Sequence, residues 1–157
     1  MQITLMAIGK TDSADLERLI AIYKKRLGHY VKFEFKILPD IKSSKNLSEI
    51  QQKEKEGELI LAQLQLSDVL ILLDEKGKQY SSMELSQFLQ KKMNSGIKTL
   101  VLAIGGPYGF SESVYQRCNG KISLSKMTFS HQMVRLFVVE QLYRGFTILR
   151  NEPYHHQ

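Results

Sequence analysis

The sequence predicts an α/β protein, a layer structure with a mostly parallel sheet. Short apolar stretches alternate with stretches of helical periodicity along the whole chain, and this order is typical of parallel strands connected by helices. Two stretches, Val69–Leu73 and Thr99–Ile104, are almost continuously apolar, as buried parallel strands are. The chain has 157 residues, of which 43% are hydrophobic, so we expect one domain over residues 1–157.

The first strand, helix and second strand each have a clear local signal. Gln2–Ile8 is short and apolar, which indicates a strand. Thr11–Ser13 offer capping side chains to a helix whose apolar residues recur every three or four positions as far as Leu27. Val31–Ile37 alternates between apolar and charged residues, which predicts a strand with one face in water.

The middle of the chain predicts a loop, a long helix and a buried strand. Lys42–Asn46 is polar and is expected to be a mobile loop. Ser48–Leu66 has the length and pattern of a helix, and Val69–Leu73 follows it as a strand. The polar segment Asp74–Lys78 contains a glycine and predicts a turn that ends this strand.

Capping signals mark the next two helices. Ser81 and Glu84 have the spacing of a capping box, so a helix begins there, and Gly96 is expected to close it. After the strand Thr99–Ile104, Ser111 is expected to cap a short helix that runs through Cys118.

The last quarter of the chain predicts one strand and one long helix. Lys121–Leu124 is a short strand, Lys126–Ser130 is a loop, and the final helix runs from His131 to about Leu149. A tail that contains Pro153 follows.

Three junctions between a strand and a loop are candidate ligand sites, because ligands of parallel sheets bind at the carboxyl ends of strands. They are Leu73-Asp74, Ile104–Gly109 and Leu124–Phe129. The glycines of Gly105–Phe110 would let a ligand approach the backbone, although a tight turn would need the same glycines. This loop matches neither the dinucleotide fingerprint nor the Walker motif, which disfavours those kinds of nucleotide site.

Few side chains form a specific constellation. His131 and Arg135 lie one helical turn apart, which suits an anion site or a base beside a cation, but also an ordinary surface pair. Glu140 and Arg144 have the spacing of a surface ion pair, which contributes little. The remaining histidines show no spacing typical of a metal site, so no metal is expected.

The charge and the cysteine count indicate the surroundings of the protein. The formal net charge is +6, and residues 121–157 hold five basic and two acidic side chains. A basic surface favours a polyanionic partner, but a basic protein without a nucleic-acid role fits equally well.

A single cysteine, Cys118, allows no internal disulfide and indicates a reducing cytoplasm. The apolar runs are too short for a membrane span, and no signal peptide is expected.

Several motifs, taken together, resemble one family. Four of them lie in the last third of the chain, and ITLMAIGK, LPD and KEGE match nearer the start, so the resemblance covers nearly the whole chain. The chain resembles the large-subunit rRNA pseudouridine N3-methyltransferases, the RlmH type of the SPOUT knotted methyltransferases. The four motifs are LAIGGPYG (Leu102–Gly109), SLSKMTFSHQMVR (Ser123–Arg135), EQLYR (Glu140–Arg144) and NEPYH (Asn151–His155).

The resemblance implies a Rossmann-like sheet with a C-terminal trefoil knot and S-adenosylmethionine as methyl donor. It also implies a homodimer whose sites are completed at the interface, and a substrate pseudouridine in 23S rRNA of the assembled 70S ribosome. The implied donor-binding residues are Leu73, Gly105, Leu124, Ser125, Lys126, Met127, Thr128 and Phe129.

The residues themselves, considered with the chemistry of methyl transfer, suggest roles at the reacting base. His131 or His155 would act as general base, and Arg135 or Arg144 would stabilise negative charge on the flanking carbonyls. Tyr154 would stack on the base or, alternatively, pin the tail to the protein. Ser130 stands where the family usually has proline, and we expect it to cap the final helix. The dimer would form around this helix through Val134, Phe137, Val138 and Leu142.

Three other functions fit parts of this pattern. A knotted methyltransferase could act on tRNA or on an unmodified uridine. A ribosome-associated protein could hold RNA without chemistry, and it would then have no affinity for S-adenosylmethionine. A purely structural α/β protein explains the three loops least well.

Overall fold

Five parallel strands form one sheet in the order β2-β1-β4-β3-β5. The computed structural model describes residues 1–41 and 44–156. The predicted α/β class with a parallel sheet is confirmed. The strands are β1 (Gln2–Ile8), β2 (Lys32–Leu38), β3 (Val69–Gln79), β4 (Thr99–Ile104) and β5 (Gly120–Ser123).

Helices cover both faces of the sheet, and each face has its own apolar core. One core joins the sheet to the first, third and fifth helices through residues such as Leu27, Leu89 and Val139. The other joins it to the second and fourth helices through Ile60 and Val114. The helices are α1 (Ala14–Leu27), α2 (Glu49–Leu61), α3 (Ser82–Asn94), α4 (Glu112–Arg117) and α5 (His131–Leu149).

Helix starts follow the predicted capping residues in most cases. Ser81 and Glu84 form the expected capping box, and the Ser130 hydroxyl accepts a hydrogen bond from the Met133 amide at 3.2 Å. Ser130 therefore caps the start of α5, as predicted for this position, where the family usually has proline. Ser111 occupies the N-cap position of α4, but its hydroxyl pairs with Ser113 instead of an amide of the helix.

The prediction that a turn over Asp74–Lys78 ends the third strand is wrong. β3 continues through Gln79, because Leu73 and Lys78 both pair with Ile122 and the four residues between them bulge out of the ladder. At Gly77 an added Cβ would lie 2.6 Å from the backbone nitrogen of Ile122. The glycine therefore allows β3 and β5 to approach closely at the bulge.

Smaller differences concern element ends and the edge of the sheet. α2 ends at Leu61, before the predicted Leu66, and Ser44–Asn46 form a 3-10 turn within the predicted loop. Lys42 and Ser43 of that loop lie outside the described residues. Ile37, predicted to face inward, is exposed because β2 is an edge strand.

No helix within residues 1–41 and 44–156 combines the length and apolarity that a membrane crossing requires.

Candidate functional site

A cavity of about 570 Å³ lies at the carboxyl ends of β4 and β5 and beside the bulge of β3, the strand between them. The structure brings the three predicted junctions together around it. Leu73 lies within β3 just before the bulge, Gly105 and its loop follow β4, and the segment after β5 closes the third side. Its volume lies in the range of small-molecule sites. The lining residues also include Lys53, Asp74, Glu75, Lys76, Ile104, Gly106, Tyr108, Tyr115, Ile122, Ser123, His131 and Val134.

The loop after β4 presents backbone to the cavity. Gly106 and Gly109 form an isolated bridge, and Gly109 has a φ of +82°, which favours glycine. An added Cβ on Gly105 would lie 3.3 Å from the Gly109 carbonyl carbon and from the Phe110 ring. A side chain at Gly105 would therefore press against Gly109 and Phe110, so glycine allows the loop to pack closely on itself.

The loop after β5 is folded on itself and partly apolar. The Ser125 hydroxyl accepts from the Met127 amide at 2.9 Å, and the Ser123 hydroxyl donates to the Ser125 carbonyl at 3.0 Å. Of the predicted donor-binding residues on this loop, Lys126 does not line the cavity, whereas the others do. Phe129 packs against Phe137 with ring centroids 5.0 Å apart.

Asp74 and Tyr115 form a pair in the cavity wall that the sequence did not predict. The Tyr115 hydroxyl donates to the Asp74 carboxylate at 2.5 Å. Burial and this carboxylate raise the pKa of Tyr115 above its ordinary value. Asp74 was assigned to a turn, and the tyrosine lies on α4, so nothing local in the sequence connects them.

His131 and Arg135 do not act as a pair facing the cavity. His131 lines the cavity at the start of α5. Arg135 is 0% exposed and donates to the carbonyls of Ile8 and Gly9 at 2.8 and 2.9 Å, and to the Thr11 hydroxyl. Arg135 thus fastens α5 to the end of β1, and its burial lowers the pKa of the guanidinium. The expected role of Arg135 in stabilising charge on a substrate does not fit this position.

Glu56 is a buried carboxylate behind the glycine loop. It is 4% exposed on α2, and its Oε1 accepts from the Gln52 side-chain amide at 3.0 Å. Oε2 has no hydrogen-bond partner among the described residues. An added Cβ on Gly106 would lie 2.7 Å from Oε1 and closer still to Oε2, so the carboxylate packs directly against Gly106. Apart from its place in the KEGE motif, Glu56 carried no signal in the sequence.

A second cluster, the tail cluster, is formed by Glu140, Arg144, Tyr154 and His155. Glu140 Oε1 accepts from Arg144 Nη2 at 2.6 Å and from the Tyr154 hydroxyl at 2.9 Å. The Arg144 guanidinium lies over the Tyr154 ring, 4.6 Å from its centroid, and is 3.4 Å from His155 Nδ1. The carboxylate raises the pKa of Arg144, and burial is the main cause of a raised pKa at Tyr154.

The predicted site residues therefore fall into two separate groups. Arg144, Tyr154 and His155 belong to the tail cluster, and none of them lines the cavity of the described chain. Within one chain, Tyr154 pins the tail to α5, which is the alternative that the sequence left open. Glu140, taken from sequence as half of a surface pair, is the acceptor that holds the cluster together.

Two of the four residues proposed for the dimer contact are used within the chain. Val138 and Leu142 are 3% and 2% exposed and belong to the apolar core, so they are unavailable to a second chain. Large apolar side chains are exposed instead around the cavity and the start of α5. These are Tyr108, Met127, Phe129 and Met133.

Comparisons with known proteins agree with the motifs. A family model described as "Predicted SPOUT methyltransferase" matches residues 1–155. The chain is also similar, over the full length of both proteins, to proteins named "Ribosomal RNA large subunit methyltransferase H". The identity is 69% over 157 residues for Flavobacterium johnsoniae, 66% for Christiangramia forsetii and 61% for Parabacteroides distasonis.

Proposed function

Since this chain belongs to the SPOUT methyltransferase family, we propose that it methylates N3 of a pseudouridine in 23S rRNA, with S-adenosylmethionine as donor, on the assembled 70S ribosome. The names of its relatives support methylation of large-subunit rRNA. The pseudouridine, its N3 atom and the 70S particle follow from the resemblance of the motifs. A ribosomal substrate would make this a cytoplasmic enzyme.

The convergence of three loops on one cavity is the observation that carries the proposal. Family membership implies a trefoil knot in the part of the chain that supplies Gly105 and Leu124–Phe129. The cavity fits a nucleoside-based donor, because apolar side chains of Leu73 and Leu124 lie beside exposed backbone of the glycine loop. A larger residue at Gly105 would press against Gly109 and the Phe110 ring and should disturb this loop.

The reaction is a displacement at a methyl group. S-adenosylmethionine supplies a methyl group on a sulfonium. The N3 nitrogen gains the methyl carbon, the carbon–sulfur bond breaks with its electron pair going to sulfur, and the N3 proton leaves to a base. The products are the methylated base, S-adenosylhomocysteine and a proton. Because the donor is already activated, the protein contributes mainly by positioning and by accepting the proton.

Two histidines are candidates for the base. His131 lies in the cavity wall, and His155 lies beside the Arg144 guanidinium in the tail cluster. Arg144 would stabilise negative charge on the carbonyls that flank N3. The hydrogen bond to Glu140 raises the pKa of the Arg144 guanidinium, which keeps it positively charged.

The separation of the two groups supports a homodimer. If Arg144 and His155 serve the cavity, a second copy must bring its tail cluster there. The exposed apolar side chains of Met127 and Met133 near the cavity give such a contact its hydrophobic surface. Phe137 and Val134, both half-buried, stay candidates for this contact.

Transfer of label from methyl-labelled S-adenosylmethionine tests the proposed function. The recipients are 70S ribosomes with the unmethylated pseudouridine, free 23S rRNA and tRNA. Label only in 23S rRNA of the 70S ribosomes is the expected result. Label in tRNA would keep the enzyme class and overturn the substrate. No label in any recipient and no donor binding would favour an RNA-binding protein without chemistry.

A further inference from the structure

The Glu56 carboxylate is an unusual group to bury beside a ligand cavity. It is held from one side only, through Gln52, and its other oxygen lacks a partner in the described chain. A buried carboxylate in this state either keeps a proton or takes a positive partner. Burial is the main reason why the pKa of Glu56 is raised above its ordinary value, because burial disfavours the charged form.

Three polar groups act on the Glu56 carboxylate, and one of them, His131, lies in the cavity wall. Gln52 lowers its pKa through the hydrogen bond, Asp40 raises it, and His131 lowers it when charged. His131 and Gly106 both line the cavity. Because the carboxylate packs against Gly106, this residue, which has no side chain, lies between the carboxylate and the cavity.

We propose that Glu56 is a positioning residue that recognises the positive charge of the methyl donor across Gly106 and so distinguishes donor from product. This inference rests on the proposed function. The donor carries a sulfonium, whereas the demethylated product carries a neutral thioether of nearly the same shape. A charge behind the cavity wall acts on this difference without touching the ligand, since a low dielectric between them preserves the attraction. Preference for the charged form favours donor binding and release of product.

The binding constants of S-adenosylmethionine and S-adenosylhomocysteine test this, measured by calorimetry on the full-length protein. In Glu56→Gln we expect the affinity for S-adenosylmethionine to fall about tenfold, equivalent to about 1.4 kcal/mol, with little change for S-adenosylhomocysteine. Glu56→Asp keeps the charge and should retain part of the preference. Glu58→Gln removes an equal charge from an exposed position on the same helix and should behave as wild type.

Equal losses for both compounds in Glu56→Gln would overturn the inference and leave the proposed function intact, because they would show a general effect on the loop. Failure of the wild-type protein to bind either compound would overturn both. Thermal unfolding checks that each variant is folded. We expect Glu56→Gln to be about as stable as wild type, since it replaces a buried acid whose Oε2 lacks a partner by a neutral group of similar size.

A second readout uses the wild-type protein and needs no variant to fold. A cation near Glu56 favours the ionised acid, so S-adenosylmethionine binding should release more protons than S-adenosylhomocysteine binding. Calorimetry in buffers of different ionisation enthalpy measures this. Equal proton release for both compounds contradicts the inference.

Discussion

The Tyr154 hydroxyl donates a hydrogen bond to the Glu140 carboxylate at 2.9 Å and lies 3.3 Å from the Tyr23 hydroxyl. Its ring packs on Tyr143, with the centroids 4.6 Å apart. One side chain thus joins the tail to both α5 and α1, so the position of His155 next to it depends on Tyr154.

Replacement of Tyr154 by Phe should loosen the tail while leaving the ring packing in place. We expect a loss of about 1 kcal/mol in the free energy of unfolding, the usual contribution of a hydrogen bond, and faster amide exchange in residues 152–156. Chemical denaturation and hydrogen exchange measure these effects. Tyr108→Phe, at an exposed residue, is the control, and exchange as slow as in wild type would contradict the assigned role.

Arg135→Ala should destabilise the protein strongly. It removes the donors for the carbonyls of Ile8 and Gly9, which lie in a buried region, so we expect a loss of about 3 kcal/mol or more in unfolding free energy. Arg18→Ala, which breaks an exposed ion pair, should change stability by no more than about 1 kcal/mol. Urea denaturation of both variants decides this, and similar midpoints would show that Arg135 is not a fastening residue.

Gly77→Ala should disturb the pairing of β3 with β5. The new Cβ would meet the backbone of Ile122, which cannot move away as a flexible side chain can, so we expect a cost of about 2 kcal/mol or more. At Gly96, where φ is +75° and no atom lies within 4 Å, alanine should cost only about 1–2 kcal/mol for the left-handed backbone. Equal thermal shifts for the two variants would argue against close contact at the bulge.

Replacing the histidine that acts as general base by alanine should lower kcat by about 10²–10⁴-fold and leave the Kd of the methyl donor unchanged. We expect this pattern for one of His131 and His155. His29→Ala, at an exposed position remote in sequence from both, should have wild-type kinetics. Single-turnover methyl transfer together with donor binding separates the two effects. Normal turnover in His131→Ala with normal donor binding would exclude His131 as the base.

Mixed subunits should recover activity if the tail cluster serves the cavity of a second chain. Arg144→Ala removes the guanidinium of the tail cluster, and Gly105→Val presses against Gly109 and Phe110 in the loop after β4. Each folded variant alone should be nearly inactive, whereas a mixture should regain activity through dimers that contain one intact site. Sedimentation should give the mass of two chains. A monomer mass, or a mixture as inactive as its parts, would contradict the arrangement.

Local signals sufficed for most of the fold. The capping box at Ser81 and the cap at Ser130 lie within three residues of the groups they bind, so the sequence shows them directly. The segment Asp74–Lys78 was read as a turn because it is polar and contains glycine. Its strand character comes from β5, which pairs with Lys78 from a distant part of the chain.

The site was predictable only in part, because its chemistry depends on contacts between distant residues. Arg135 looks like a surface partner of His131 in sequence, but its acceptors at Ile8 and Gly9 precede it by more than a hundred positions. Glu56 sits in a helix rich in charged residues, and only its packing against Gly106 shows that it is buried. Neither the periodicity of α2 nor that of α5 contains this information.

The parallel sheet also limits the order in which the protein can fold during its synthesis. Gln2 pairs with Thr99, and Ile71 pairs with Gly120, so β1 and β3 each pair with a strand that is synthesised much later. Contacts between residues so far apart in the sequence slow folding, because each long loop must close before the strand pairing can stabilise the fold. The cavity is lined by residues as late as Val134, so a nascent chain cannot complete it until the segment up to Val134 has left the ribosome.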